Sequence, residues 1–265
     1  VARHAIDGPV PLVVVRSPTP GTGKSLLVDV VASIATGRGA SRYVQAHDPE
    51  AERKLIFAIA NDGEQIALFD NIAKPLGSPA LDATLTSMTV SDRGMATNNT
   101  KRATFTTCLF ATGNNIQLRG DLCRRVIVVD LDAETERPEE ARVKPFRYPD
   151  LLGHIRAHRG ELVAAALTIL RAYVVAGKPR STTLKTIGSF ENWDHLIRGA
   201  VCWAAGWSVE DPSNDPALSR TRIREDGEPE IEALRELLEA WRDTIEQGKS
   251  ITVSRLTQFA RDTTI

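Results

Sequence analysis

The stretch Pro18–Ser25, PTPGTGKS, constrains this chain more than any other, because the apolar run Leu12-Val13-Val14-Val15 precedes it and a helical pattern follows. A buried strand, a Gly-rich turn and a helix start make a cradle for phosphate. The turn needs glycine, since only a residue without Cβ lets the backbone fold back and approach a phosphate closely. The N–H groups of Gly21, Thr22, Gly23, Lys24 and Ser25, between Pro20 and Leu26, can then converge on a β-phosphate. The positive end of the helix adds to that field. Lys24 would sit as a point charge on the β- and γ-phosphates of ATP, and the Ser25 hydroxyl would ligate Mg²⁺. The usual pattern has glycine at position 18; here Pro18 and Pro20 lack an N–H, but the donors that matter lie downstream of both.

Beyond the turn, Leu26, Leu27, Val30, Val31 and Ile34 draw one apolar helix face over Ser25–Ala35, stopped by Gly37 and Gly39. A short strand is expected near Tyr43–Gln45. Asp48-Pro49 is an N-cap followed by proline at the first helical position, opening a helix to about Ala60. Asn61-Asp62-Gly63 is a turn, and Ile66–Phe69 is a second buried strand ending in Asp70-Asn71. A carboxylate at the tip of a strand parallel to the first is where an NTPase holds the magnesium shell, so Asp70 takes that role. Asn71 stands where a second acid is usual; it cannot accept a proton, but an amide can orient a water. Alternatively Asn71 only caps the strand and Glu52 or Glu64 supplies the carboxylate.

Ser78–Ser87 reads as a short helix, and Met88–Phe105 as a hairpin with a polar tip. In it Arg93, Lys101 and Arg102 outnumber Asp92; from composition alone it is a solvated surface hairpin. Thr107–Ala111 is a third buried strand, running into Thr112-Gly113-Asn114-Asn115. Polar residues at the carboxyl end of such a strand face the ligand crevice of a doubly wound sheet. Asn114 is therefore placed to contact a γ-phosphate or the attacking water, unless Gly113-Asn114 is merely a turn. Gly120–Arg125 leads into a fourth buried strand, Val126–Val129, and two adjacent arginines before a core strand are costly to bury unless they meet anionic oxygens.

The order of these parts, the Gly-rich loop, FDN, ATGNN and GD-x-x-RR, resembles the AAA+ ATPase domain of phage, plasmid and integrative-element primase–helicase proteins, related to superfamily-3 helicases. The resemblance covers Leu12–Asp132 and continues more loosely through Pro138–Glu140, Phe146–Leu152, Leu162–Pro179 and Ser189–Gly206. It implies a P-loop parallel sheet flanked by helices, followed by an all-helical region. It matches Asn114 to the sensor-1 asparagine and Arg124 and Arg125 to arginine fingers supplied to the neighbouring subunit's nucleotide in a hexameric ring. It sets the Met88–Phe105 hairpin where such helicases carry the pore loop that grips single-stranded DNA, making Arg93, Lys101 and Arg102 candidate phosphate contacts. A primase or polymerase domain is the implied companion, and the cytoplasm of a bacterial host the implied location. Pro18 and Asn71 depart from the pattern and bear on hydrolysis more than on ATP binding.

Residues 1–147 form the expected ATPase core, 148–210 a helical subdomain and 211–265 a linker with C-terminal helices. Leu162, Ala166, Ile169 and Tyr173 space out one helix face, and Phe190, Trp193, Ile197 and Val201 another, read as core. His154 and His158 are four apart on a helix, but no third ligand stands near, which favours two surface histidines over a metal pair. Asp211–Asp226 reads as a linker, Ile231–Ile245 as an acidic amphipathic helix, and Ile251–Phe259 as the start of a winged-helix module. The 265 residues allow an α/β domain with a helical appendage, and 42% hydrophobic with 25% charged residues is ordinary for a globular protein. A net charge of −1 gives no global basic field, so any grip on nucleic acid must be a local patch. Three cysteines without paired spacing argue against a disulfide framework or zinc ribbon and suit a reducing compartment. Leu162–Ala176, interrupted by Arg171, is too short to span a bilayer. A chain that opens on Val1 and stops just after a new helical pattern reads as a segment of a longer polypeptide.

Overall fold

A computed structural model describes residues 1–93, 100–135, 137–138, 146–182, 184–208, 211–219 and 252, with Arg93 as backbone alone. The chain divides into two compact units, Val1–Gly227 and Glu228–Ile265. The described architecture belongs to the first. The hairpin tip at Asn98-Asn99, Glu139 and Glu140, residues 220–226 of the Asp211–Asp226 stretch, and the two C-terminal helical patterns apart from Thr252 lie outside the described residues.

Five strands form one parallel sheet: β1 (Leu12–Ser17), β2 (Ser41–Tyr43), β3 (Ile66–Phe69), β6 (Cys108–Asn114) and β7 (Val126–Asp130). Their spatial order is β2-β3-β6-β1-β7. β1 therefore lies inside the sheet, paired with β6 (Ser17 opposite Asn114) and with β7 (Leu12 opposite Val126). A parallel sheet needs cover on both faces, which is why these strands are nearly continuous apolar runs. Alternate residues of β1 serve the two faces. Leu12 and Val14 join Ile56, Ile59, Leu81, Leu109 and Leu122 in one buried cluster; Val15 joins Val28, Ala32, Leu68 and Phe110 in the other.

Helix α1 (Lys24–Thr36) covers that second face, and its buried side differs from the expected one. Val28, Ala32 and Ser33 are buried, whereas Leu26, Leu27 and Val31 stay 40%, 36% and 39% exposed. A helix pressed close to a sheet packs its smaller side chains inward, and the wider apolar pattern then runs past the contact. Gly37, in the left-handed region at φ 85°, ends α1 as expected. Asp48 caps α2 (Pro49–Asn61) by accepting from the N–H groups of Glu50 and Ala51, and Ser78 caps α3 (Pro79–Thr84) through Leu81 N–H.

Between α3 and β6 the hairpin forms as β4 (Thr89–Arg93) and β5 (Thr100–Thr104), antiparallel, with Asp92 opposite Lys101 and Ser91 opposite Arg102. After β7, α4 (Leu151–Ala157) and α5 (Arg159–Val175) pack on α1, and Arg159 donates to the Ala35 carbonyl at 3.0 Å. Of the expected α5 face only Tyr173 is buried; Ile169 is 45% exposed. The last described helical stretch runs from α6 (Glu191–Trp193) through a π-helical turn, Asp194–Arg198, into α7 (Gly199–Ala204). Its interior differs from the expected stripe too. Phe190 is buried, but Val201 is 41% exposed while Asp194 and Arg198 are 0% and 5% exposed. Among the described residues no helix is long and apolar enough to cross a membrane.

Candidate functional site at the carboxyl ends of the sheet

β1, β3 and β6 end together, and each delivers part of one constellation. Residues 18–23 turn out of β1 with Gly21 and Gly23 in the left-handed region, at φ 75° and 87°. That backbone is open to glycine at little cost, which is why the loop carries two of them. Gly23 is the N-cap of α1 and supplies no side-chain cap, in contrast to Asp48 and Ser78 on the helices that follow. The first N–H groups of a helix have no partner within it. Those of Lys24, Ser25 and Leu26 are therefore left at the mouth of the loop, with the helix dipole behind them. Lys24 Nζ folds back on the loop, donating to the Thr19 carbonyl at 3.1 Å and to Thr22 Oγ1 at 3.2 Å. Burial draws the Lys24 ammonium below the ordinary lysine range, and a desolvated cation gains most from an anion set beside it. Thr19 Oγ1 is buried without a hydrogen-bond partner, a polar atom on the loop left for something else to satisfy.

Asp70, one residue beyond β3, ties the strands to the helix. Its Oδ1 accepts from Ser25 Oγ at 2.7 Å and from Thr112 Oγ1 at 2.6 Å. Its Oδ2 lies 3.3 Å from Arg42 Nε. Burial pushes the Asp70 carboxyl upward, but the bonds from Thr112 and Ser25, the Arg42 charge and the Asn71 N–H together outweigh it and hold it below its ordinary value. It is therefore anionic at neutral pH. A hydroxyl and a carboxylate in contact are the hard oxygen donors Mg²⁺ prefers, so Ser25 and Asp70 fit such an ion.

Thr112, part of the strand-end ATGNN run, has a role that the sequence did not assign it. Buried at 1% exposure, it bonds Asp70 and also accepts the Asn71 N–H at 3.2 Å. Next to it Gly113 leaves no room for a side chain, since a Cβ there would stand 2.6 Å from the Ile72 carbonyl oxygen. Asn114 is exposed at the end of β6, opposite Ser17 and so beside the loop. Asn71 is exposed and left-handed at φ 57°, a conformation asparagine enters at lower cost than most residues. Among the described residues Glu52 and Glu64 bond elsewhere: Glu52 accepts from Ser78 Oγ, and Glu64 pairs with Arg38 at 3.2 Å.

The two adjacent arginines part company. Arg125 is turned into its own chain, bonded to Asp121 Oδ2 and to the Asp82 carbonyl, with its side chain 13% exposed. It fastens the 3₁₀ turn Gly120–Arg124 to α3. Arg124 is 66% exposed and shares the same Asp121 carboxylate through the other oxygen. On the hairpin Lys101 and Arg102 are both exposed, on opposite faces of β5. Val90 and Ala103 pack on the core, so Asp92 and Lys101 lie on that inner face and Arg102 on the outer one. Asp92 is paired with Arg53 of α2, and Arg93 is placed by register alone, opposite Thr100. His154 stacks on Tyr148 at 3.9 Å between ring centres and lies 4.2 Å from His158. Among the described residues no group of three or more His, Cys, Asp or Glu side chains could hold a metal ion.

No family model matches the chain, and no curated protein matches it. Among solved structures it is similar to the C-terminal region of NrS-1 in an A-form apo structure, at 18% identity and a TM-score of 0.42 over 58% of this chain and 36% of that one. A second structure of the same region, residues 305–718, gives 13% identity and a TM-score of 0.35 over 56% and 33%. The chain thus aligns with about a third of the length of the structures it matches.

Proposed function

We propose that this chain is the ATP-hydrolysing motor of a ring-forming AAA+ helicase or translocase from a mobile-element replication protein. The observation that carries the reading is the convergence of the Gly-rich loop, Lys24, the Ser25–Asp70 contact and Asn114 at one end of the sheet. Loop amides and Lys24 bind the triphosphate and neutralise its charge. Ser25 and Asp70 hold a Mg²⁺ that supplies further charge neutralisation on the phosphates. Asn114 reaches the γ-phosphate or the water beside it. Arg124, exposed at the surface, completes the pocket of a neighbouring copy and stabilises charge on the transferring phosphoryl group. Phosphoryl transfer through a loose transition state asks mainly for this positioning and electrostatics.

A second reading has its own observation. With Asn71 in place of an acid and bent into a left-handed turn, the chain would bind ATP and assemble while hydrolysing it slowly. Steady-state ATPase measured with and without single-stranded DNA separates the two. Stimulation by DNA supports the motor; nucleotide-dependent assembly without turnover supports the scaffold.

On the motor reading the outer face of the hairpin grips DNA phosphates. Arg102→Ala is expected to weaken single-stranded DNA binding and to lower the slope of log affinity against log salt by about 0.7, the share of one phosphate contact. Lys101→Ala, on the inner face opposite Asp92, is expected to do less. A salt titration by fluorescence anisotropy reads both, and an unchanged slope in Arg102→Ala returns the hairpin to an ordinary surface feature.

A further inference from the structure

Arg42 has no part in the roles described so far, yet it stands against the carboxylate at their centre. It lies on the edge strand β2, with its side chain 52% exposed. It addresses two acids at once. Nη2 donates to Asp29 Oδ2 at 2.6 Å, while Nε is 3.3 Å from Asp70 Oδ2. The two contacts differ in kind. Asp29 is on α1, four residues after Ser25 and so on the same helix face. It is itself fixed, because Oδ1 accepts the Ala40 N–H at 3.2 Å. The Asp29 contact is short, and its carboxylate is anchored. The Asp70 contact is the longer one.

Asp70 also divides its oxygens. Oδ1 already serves Ser25 and Thr112, which leaves Oδ2 as the oxygen with lone pairs to spare, and that is the one facing Arg42. A divalent ion that takes Asp70 through Oδ2 shares that oxygen with a guanidinium or displaces it. Like charges brought that close repel strongly, although the half-exposure of Arg42 screens part of the effect.

We propose that Arg42 gates the cation site at Ser25 and Asp70, competing for Asp70 Oδ2 and raising the Mg²⁺ concentration the site requires, while Asp29 is the arm that draws the guanidinium aside. The inference rests on the reading of Ser25 and Asp70 as magnesium ligands. It makes the cation requirement a property of β2 and α1, outside the loop that holds phosphate. It also predicts opposite signs for substitutions at two residues that touch each other. Removing Arg42 opens the site, and removing the Asp29 charge leaves Arg42 with Asp70 as its remaining acid.

The test is equilibrium binding of a fluorescent ATP analogue to the whole chain, first in EDTA and then across a Mg²⁺ titration. Arg42→Ala is expected to leave the EDTA affinity unchanged and to lower the Mg²⁺ midpoint about two- to fivefold, the size of one partly exposed ion pair. Asp29→Asn is expected to raise that midpoint, and circular dichroism checks that both variants fold. A midpoint that stays put or rises in Arg42→Ala overturns the gate. So does a loss of EDTA affinity in that variant, which would make Arg42 a phosphate ligand. If wild type itself shows no Mg²⁺-dependent nucleotide binding, the magnesium reading of Ser25 and Asp70 falls, and the gate with it.

Discussion

Arg124→Ala is expected to cut steady-state ATP turnover by about 10³–10⁵-fold while leaving nucleotide affinity and melting temperature near wild type. The expected size follows from what an arginine finger does: it meets charge that develops on the phosphoryl group in the transition state and has little to hold in the ground state. The expected stability follows from exposure. Arg124 is 66% exposed and, among the described residues, bonded to the half-exposed Asp121, so its loss opens no cavity and orphans no buried group. Arg125→Ala should behave differently. That guanidinium links Asp121 to the Asp82 carbonyl, and Asp82, whose carboxyl burial pushes upward against the pull of Arg125, would lose its nearest positive charge. Lower thermal stability is the expected mark of Arg125→Ala. On the proposed reading the pocket that Arg124 completes belongs to a neighbour, so mixing Arg124→Ala with Lys24→Ala subunits should restore part of the turnover that neither has alone. Full turnover in Arg124→Ala would remove the neighbour from the mechanism.

Asp194→Ala should cost the fold about 3–5 kcal/mol, the usual penalty for leaving buried charges without their partner. Asp194 has no solvent exposure and receives Arg180 at 2.5 Å and Arg198 at 2.6 Å. Arg198 also holds Asp215 at 2.7 Å, which brings the segment after α7 back onto the helix. Two carboxylates and two guanidiniums sum to zero, so the cluster is tolerable inside as long as all four remain. Removing Asp194 leaves Arg180 with backbone carbonyls alone and Arg198 with Asp215 as its one acid among the described residues. In a domain of this size the melting temperature should fall by roughly 6–20 °C. Thermal denaturation followed by circular dichroism checks this, with Asp194→Asn, which keeps the shape and part of the bonding, expected between the two. A melting point within about 2 °C of wild type, a shift worth no more than about 1 kcal/mol, would mean water reaches the cluster.

What could be read in the residues, and what could not, divides along a physical line. Local chemistry was legible. Asp48 before Pro49 capped a helix, Gly37 ended one, Ser78 opened another, and the polar stretch between Thr89 and Thr104 paired as a hairpin. The parallel sheet followed from its apolar runs, and the meeting of Asp70 with Ser25 followed from the one lying at the end of β3 and the other at the start of α1, beside the end of β1. Non-local pairing was not legible. Nothing in the spacing of Arg124 and Arg125 says that one faces outward and the other is bonded to α3, because the partner, Asp82, lies over forty residues away. Arg42 looks like any edge-strand arginine until Asp29 and Asp70 are seen on either side. Asp194 and Arg198 look like the solvent side of an amphipathic helix, since periodicity assigns charge outward and only a complete set of partners reverses that. The same limit explains α1, whose largest apolar residues mark a face the sheet does not use.

The central claim is that a triphosphate is held at the start of α1, and calorimetric titration of the chain with ATP and Mg²⁺ tests it most directly, wild type against Lys24→Ala. A charge-assisted contact to phosphate is worth about 1.5–3 kcal/mol, so Lys24→Ala should bind ATP about ten- to hundredfold more weakly with an unchanged melting temperature. Equal affinity in the two proteins, or no heat of binding in wild type, would contradict it.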